Sequence, residues 1–294
     1  MDYRLVIKDP ESLVVVFSPV NIPKGKFGFS RFFEKDERSF LFFNCENTWY
    51  LDSIDDIKAT FSKIFQRLNP TQVVFYGASM GGYAAARLGG CFPEYPTFIF
   101  GSEIRLFSKG SLSLKHSKII CEGANLDEIQ GLDFSNTVAL FGIYEPVDMK
   151  QYQYGLSLNF RHCIPVRSPH AVHEELYYRG MIENMAKATD CESFFQAIPR
   201  NFFDDNPPLL HADIFQKAYH ETHLITAKDI DILVGIEHPS VFWCLLKLSK
   251  VYKDEDLFIR TEKAIHHYFE TRTDGFTTPS KFTRQIRLIK ENFG

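Results

Sequence analysis

The residues best suited to chemistry lie at Gly77-Ala78-Ser79-Met80-Gly81, a G-x-S-x-G string. A serine hydroxyl is a weak nucleophile until a base takes its proton, and a sharp strand-to-helix turn is one way to present it to that base. Such a turn holds its central residue at a strained backbone angle, so the neighbours must be small, and Gly77, Ala78, Gly81 and Gly82 satisfy that demand. A helix beginning directly after Ser79 also aims its free amide groups and its positive dipole end at the place where an oxyanion forms, with the Met80 N–H as the first donor. The competing reading is a glycine-rich turn of purely structural or phosphate-binding type.

The surrounding elements are those that such a turn needs. Residues 72–76 (QVVFY) form an apolar, β-branched run before it, and the small residues YAAARLGG follow it as a helix. Further strands are expected at 12–18, 39–44, 96–100, 118–121, 137–144 and 159–166, with an amphipathic helix over 53–69 and another helix over 170–188. Alternation of buried strands with helices predicts an α/β architecture, a mostly parallel sheet flanked by helices. Beyond about residue 193 the strand signals fade, a proline break follows at 206–210, and the rest reads as helical without a fixed-period repeat. The expected organisation is a sheet domain over 1–192 and a helical C-terminal region over 193–294.

With the serine turn in this context, the sequence resembles the α/β-hydrolase superfamily over roughly residues 12–188. The resemblance implies the chain order nucleophile, acid, histidine, the acid following one late strand and the histidine the next. After 137–144 come Glu145 and Asp148. Asp148 is preferred because it lies a few residues into the turn, whereas Glu145 precedes a proline that continues the extended chain; Glu145 stays as the alternative. After 159–166 come His170 and His173, and His170 is preferred because it sits in the loop while His173 has entered the helix. His173 stays as the alternative. Read as a metal pair, the two histidines lack a third ligand close in sequence, so no metal is expected. The superfamily also implies a second oxyanion donor from the loop after an early strand, here 17–21. Pro19 has no N–H, which makes Val20 the first backbone donor and Asn21 the alternative; the loop departs from the HGGG type.

The segments VVVFS, GASMGGYAA, NTWY and SPHAVHEEL resemble a branch of the superfamily associated with bacterial surface glycans, which includes esterase-like proteins and capsule O-acetyltransferases. The implied activity is serine-dependent acyl transfer through Ser79, His170 and Asp148, first as a carboxylic ester hydrolase (an esterase or deacetylase) acting on a small-molecule ester or a glycan. One alternative is an acetyl-CoA-dependent polysaccharide O-acetyltransferase using the same residues, and another is an inactive scaffold that binds a partner through its helical tail. No cofactor is expected apart from acetyl-CoA as co-substrate of a transferase. Lys24, Lys26, Arg31, Arg105 and Lys109 are compatible with a phosphate-binding groove and equally with an ordinary solvated surface.

Composition narrows the partners. The 294 residues are 45% hydrophobic and 24% charged, which is globular, and 33 Lys+Arg against 37 Asp+Glu give a net charge of -4, which disfavours nucleic acid or an anionic membrane. No apolar run approaches spanning length and the first residues carry no apolar leader segment. The 6 cysteines lack metal-ligand spacing and read as reduced core thiols, which together predict a cytoplasmic protein. The 29 Phe and 13 Tyr point to aromatic packing. His220, His223, His238, His266 and His267 in the tail receive no role; the tail is the expected surface for self-association or a protein partner. The polar-aromatic loop 44–50 reads as a loop anchored by Trp49 or as a carbohydrate contact, and Glu103 as a loop acid or a residue facing substrate.

Overall fold

Val, Ile and Phe runs that cannot be solvated pair side by side, and helices cover both faces of the result. The computed structural model describes residues 1–108, 110–118, 129, 131–198, 202, 207–271 and 280–291. The chain divides into two compact units, Met1–Asp204 and Asp205–Gly294. In the first, the strands are β1 (Asp2–Val6), β2 (Asp9–Phe17), β3 (Arg38–Asn44), β4 (Gln72–Ala78), β5 (Thr97–Phe100), β6 (Thr137–Gly142) and β7 (His162–Val166). Among the described residues they form one sheet in the order β1-β3-β2-β4-β5-β6-β7, in which β1 runs antiparallel to its neighbour and the other pairs are parallel. Because β2 leads outward to β3 on one side and β4 adjoins it on the other, the chain reverses its direction of travel between β2 and β4. Crevices at the strand ends of such switch points are where ligands bind in open α/β sheets.

Side chains alternate across the sheet. Val14, Val16, Phe40, Phe42, Tyr76 and Phe100 face one layer, formed by α5 (Val172–Tyr178), α6 (Ile182–Ala186) and α7 (Cys191–Ala197). Phe75 faces the other, against Phe61 of α1 (Ile54–Leu68) at 5.4 Å between ring centroids. Along the chain, α2 (Met80–Cys91) follows β4, the short α3 (Leu112–His116) follows β5, and α4 (Pro146–Gly155) follows β6.

Several expectations change. An edge strand over Asp2–Val6 was not anticipated; its polar, half-exposed sequence carries no buried periodicity. The helix expected over 170–188 is two helices, broken where Gly180 takes φ +67°. Of the strand expected at 118–121, Lys118 is in no strand and the remainder, with Cys121, lies outside the described residues. The first unit extends past residue 192 because α7 belongs to it: Phe194 is fully buried and stacks on Phe98 at 4.1 Å.

In the second unit the described residues are helical: α8 (Pro207–His220), a 3-10 turn (Thr222–Leu224), α9 (Ala227–Val234), α10 (Pro239–Tyr252), α11 (Glu255–Glu270) and α12 (Ser280–Lys290). Side-chain caps start them, Thr226 with Asp229 in a reciprocal box for α9 and Asp254 for α11. The buried His238 serves as the cap of α10, accepting from the Ser240 N–H. Phe242, Leu246, Phe258, Ile265, Phe269 and Phe282 form a core of its own. No helix among the described residues is long and apolar enough to cross a membrane.

Candidate active site

Ser79 sits between β4 and α2 at φ 52°, ψ -124°, a backbone conformation rarely adopted by a residue with a side chain. The surrounding packing enforces it. A Cβ on Gly77 would collide with the Gly81 carbonyl, and one on Gly81 with the Phe17 carbonyl, so strand, turn and helix close up only because both are glycine. Ser79 occupies the N-cap position of α2, yet its hydroxyl makes no capping bond. It lies instead 2.8 Å from His170 Nε2.

The opposite imidazole nitrogen, Nδ1, is 2.6 Å from Asp148 Oδ1. Asp148 is fully buried, and its second oxygen accepts the Gly142 N–H at 3.1 Å. It lies in the first turn of α4, which Pro146 opens at the first helical position; the proline thus starts a helix rather than continuing an extended chain. Glu145 is the N-cap of that helix, with its carboxylate near the Val147 N–H, so it is not the group that holds His170. His173 is corrected in the same way. It lies on α5 with its ring packed on Phe29 at 4.3 Å and on Phe100 and Phe32 at 5.3 Å, and burial drives its pKa down to about 3, which leaves it neutral.

Three carboxylates surround the imidazole. Burial by itself would depress the His170 pKa, but Asp148, Glu145 and Glu103 outweigh it and raise the value above 6.5. Glu103 is itself buried and does not face solvent: its carboxylate accepts N–H groups from Leu112 and Ser113 at the start of α3. Burial pushes its pKa up. The buried Gln151 on α4 accepts from the Ile104 and Arg105 N–H groups and donates to the Arg105 carbonyl, so the chain after β5 is stitched to α4. Neither role was legible beforehand, since a lone Gln in a helix carries no distinguishing spacing.

Backbone donors are available. No acceptor is found for the Met80 N–H or the Val20 N–H among the described residues, whereas the Asn21 N–H is already given to Asn47 Oδ1 at 2.8 Å. Asn21 is thereby removed as the alternative donor. Trp49 is fully buried, so the loop 44–50 is anchored by it rather than offering that ring to a ligand. Of the basic residues considered, Lys26 and Arg31 line a cavity with Arg4, Lys24 lines a smaller one with Arg4, Arg105 lies over the Tyr154 ring at 5.7 Å, and Lys109 lies outside the described residues. Cys45, Cys91, Cys163, Cys191 and Cys244 are free thiols. Among the described residues no group of three His, Cys, Asp or Glu side chains is arranged to hold a metal.

A serine elbow after one parallel strand, followed in chain order by an acid after β6 and a histidine after β7, sits on a sheet whose antiparallel strand is at the edge. The fold is α/β-hydrolase-like. Among solved structures this chain is similar to a capsule O-acetyltransferase of Neisseria meningitidis serogroup A, at 17% identity over 62% of this chain and 90% of that one, with a TM-score of 0.49. It is similar to XC6422 of Xanthomonas campestris, an α/β serine hydrolase without a lid, at 12% identity over 68% and 90% of the two chains (TM-score 0.42). It is also similar to the fluorophosphonate-binding serine hydrolase F of Staphylococcus aureus, at 10% identity over 60% and 83% (TM-score 0.40). No protein-family model and no curated protein matches the sequence.

Proposed function

We propose that this hydrolase-like chain carries out serine-dependent acyl transfer, with Ser79 as nucleophile, His170 as general base and acid, and Asp148 as the group that orients His170. The observation that carries the reading is the continuous relay, 2.8 Å from Ser79 Oγ to His170 Nε2 and 2.6 Å from His170 Nδ1 to a fully buried Asp148. His170 Nε2 takes the Ser79 proton as Oγ attacks an ester carbonyl, and the oxyanion is held by the Met80 and Val20 N–H groups. Collapse of the tetrahedral species expels the alcohol, which leaves with the proton from His170. Asp148 stays ionised and stabilises the imidazolium. Water then attacks the acyl-enzyme and gives its proton to His170, which passes it to Ser79 Oγ as the acyl–oxygen bond breaks and the carboxylic acid departs.

The acceptor in this account is water, which makes the protein a carboxylic ester hydrolase for a small ester or an acylated glycan. A sugar hydroxyl in place of water, with acetyl-CoA as donor, uses the same residues, and the cations of Arg4, Lys26 and Arg31 along one cavity suit the phosphates of such a donor. The acting part is the first unit, which holds every residue named. The test is intact-mass analysis after fluorophosphonate treatment of the full chain. Wild type gains one adduct and Ser79→Ala gains none. A folded wild type that stays unlabelled overturns the reading.

A further inference from the structure

The loop after β2 walls a cavity of about 740 Å³ that also takes in one face of α5. Its size is that of a small-ligand site. Its wall comes near the serine turn through Pro19, which follows Ser18, whose carbonyl lies against Gly81, and it includes His173, three residues along the chain from His170.

The wall is strongly cationic. Arg4, Lys26 and Arg31 line it against a single carboxylate, Glu174. Among the described residues none of the three cations is within ion-pair distance of a carboxylate, although the chain as a whole is acidic at -4. Arg4 is held in place, its guanidinium 5.2 Å from the Phe27 ring centre and 5.1 Å from that of Phe42. A positive cluster without carboxylate partners on an acidic molecule attracts anions and focuses them.

The wall is also built beforehand. The side-chain amide of the buried Asn44 lies within hydrogen-bond distance of the Ile22, Pro23 and Lys26 carbonyls, and the buried Ser18 hydroxyl accepts the Gly28 N–H while donating to the Phe43 carbonyl. Buried groups thus fix the loop that carries Lys26 and Arg31, which reduces the ordering cost of binding. A further polar atom is left over: His173 is 6% exposed, lines the cavity, and its Nε2 has no hydrogen-bond partner. That nitrogen is itself shielded from solvent, so His173 gives the wall packing and not a hydrogen bond to an occupant. Tyr177, 54% exposed and in the same wall, offers a flat apolar face to a ring.

We infer that this cavity is the recognition site for the anionic portion of the acyl substrate, a carboxylate or phosphate attached to a ring-bearing body, with Arg4, Lys26 and Arg31 receiving the charge. The inference rests on the acyl-transfer reading of Ser79. An anionic saccharide and a phosphorylated acyl donor share this chemistry, and the test separates them.

The experiment is isothermal titration of the full chain with three probes: a glucuronate-containing tetrasaccharide, the same tetrasaccharide with its carboxyl groups reduced to alcohols, and coenzyme A. Lys26→Ala/Arg31→Ala is the test variant, and Arg4→Gln the second. Wild type is expected to bind at least one anionic probe about tenfold or more tightly than the neutral tetrasaccharide, with that preference lost in the double variant and falling with added salt. Preference for the charged tetrasaccharide assigns the anion to the glycan, and preference for coenzyme A assigns it to the donor. Equal affinity for charged and neutral probes, binding unaltered in both variants, or no binding at all overturns the inference. Fluorophosphonate labelling of the same samples reads Ser79 separately, so loss of labelling marks failure of the acyl-transfer reading and not of the cavity's role.

Discussion

In the proposed reaction His170 has to be neutral to accept the Ser79 proton, so its pKa sets the acidic limb of the rate profile. Three carboxylates raise that pKa above 6.5 against the opposing effect of burial, so the labelling rate should climb with pH through a limb lying above pH 6.5. Glu103 is the carboxylate whose part is separable. It is buried, it touches neither Ser79 nor its hydrogen-bond relay, and its oxygens hold the Leu112 and Ser113 N–H groups. Glu103→Gln removes the charge and keeps an acceptor for one of the two amides, its NH2 facing the other, so a urea melt accompanies it; in the folded variant the limb of the fluorophosphonate rate profile should move to lower pH. An unmoved limb would mean that Glu103 carries no charge at that pH or that its field does not reach the imidazole. At this scale the sequence made the placement legible: Ser79, Asp148 and His170 follow β4, β6 and β7, and His170 lies within hydrogen-bond distance of the other two. The partners of the loops were not legible, because Glu103, Gln151 and Asn44 act on backbone amides and carbonyls far away in sequence, and no spacing encodes such contacts.

At the scale of the element, the junction β4-turn-α2 is held by backbone packed on backbone. The Gly81 position faces the Phe17 and Ser18 carbonyls, neither of which can rotate away as a side chain could. Gly81→Ala should therefore destabilise the first unit by about 1–3 kcal/mol, as overpacking does. It should also slow fluorophosphonate labelling of the folded protein, because moving β2 shifts the Val20 N–H, the proposed oxyanion donor, relative to Ser79. Urea melts alongside labelling rates check this, and an Ala variant equal to wild type in both would show that the turn does not depend on that contact. Element type was readable wherever burial was continuous, as in Val73–Phe75 or Val138–Phe141. It failed at β1, whose residues are partly exposed and gain strand geometry only from pairing with β3 through partners such as Leu5 and Leu41. It failed also at Pro146, where an N-terminal helix position and an extended chain are both compatible with a fixed φ.

On the scale of the molecule, the two units have separate apolar cores, one built on the sheet and one around Phe242, Phe258 and Phe282. The serine, histidine and aspartate, the two backbone donors and the cationic cavity all belong to Met1–Asp204. If acyl transfer needs only those groups, damage confined to the helical core should leave the chemistry intact. Phe282 is the position to test it: fully buried, it stacks on Trp243 at 4.5 Å and lies 5.9 Å from the Phe269 ring. Phe282→Ala removes a buried ring and should cost the helical unit about 3–5 kcal/mol, seen as an earlier helical transition in circular dichroism. The rate of fluorophosphonate labelling at 20–25 °C should be unchanged. A matched fall in labelling would mean that the helical unit supports the reacting groups, and the tail would then have to be counted as part of the machinery at Ser79 rather than as a separate surface.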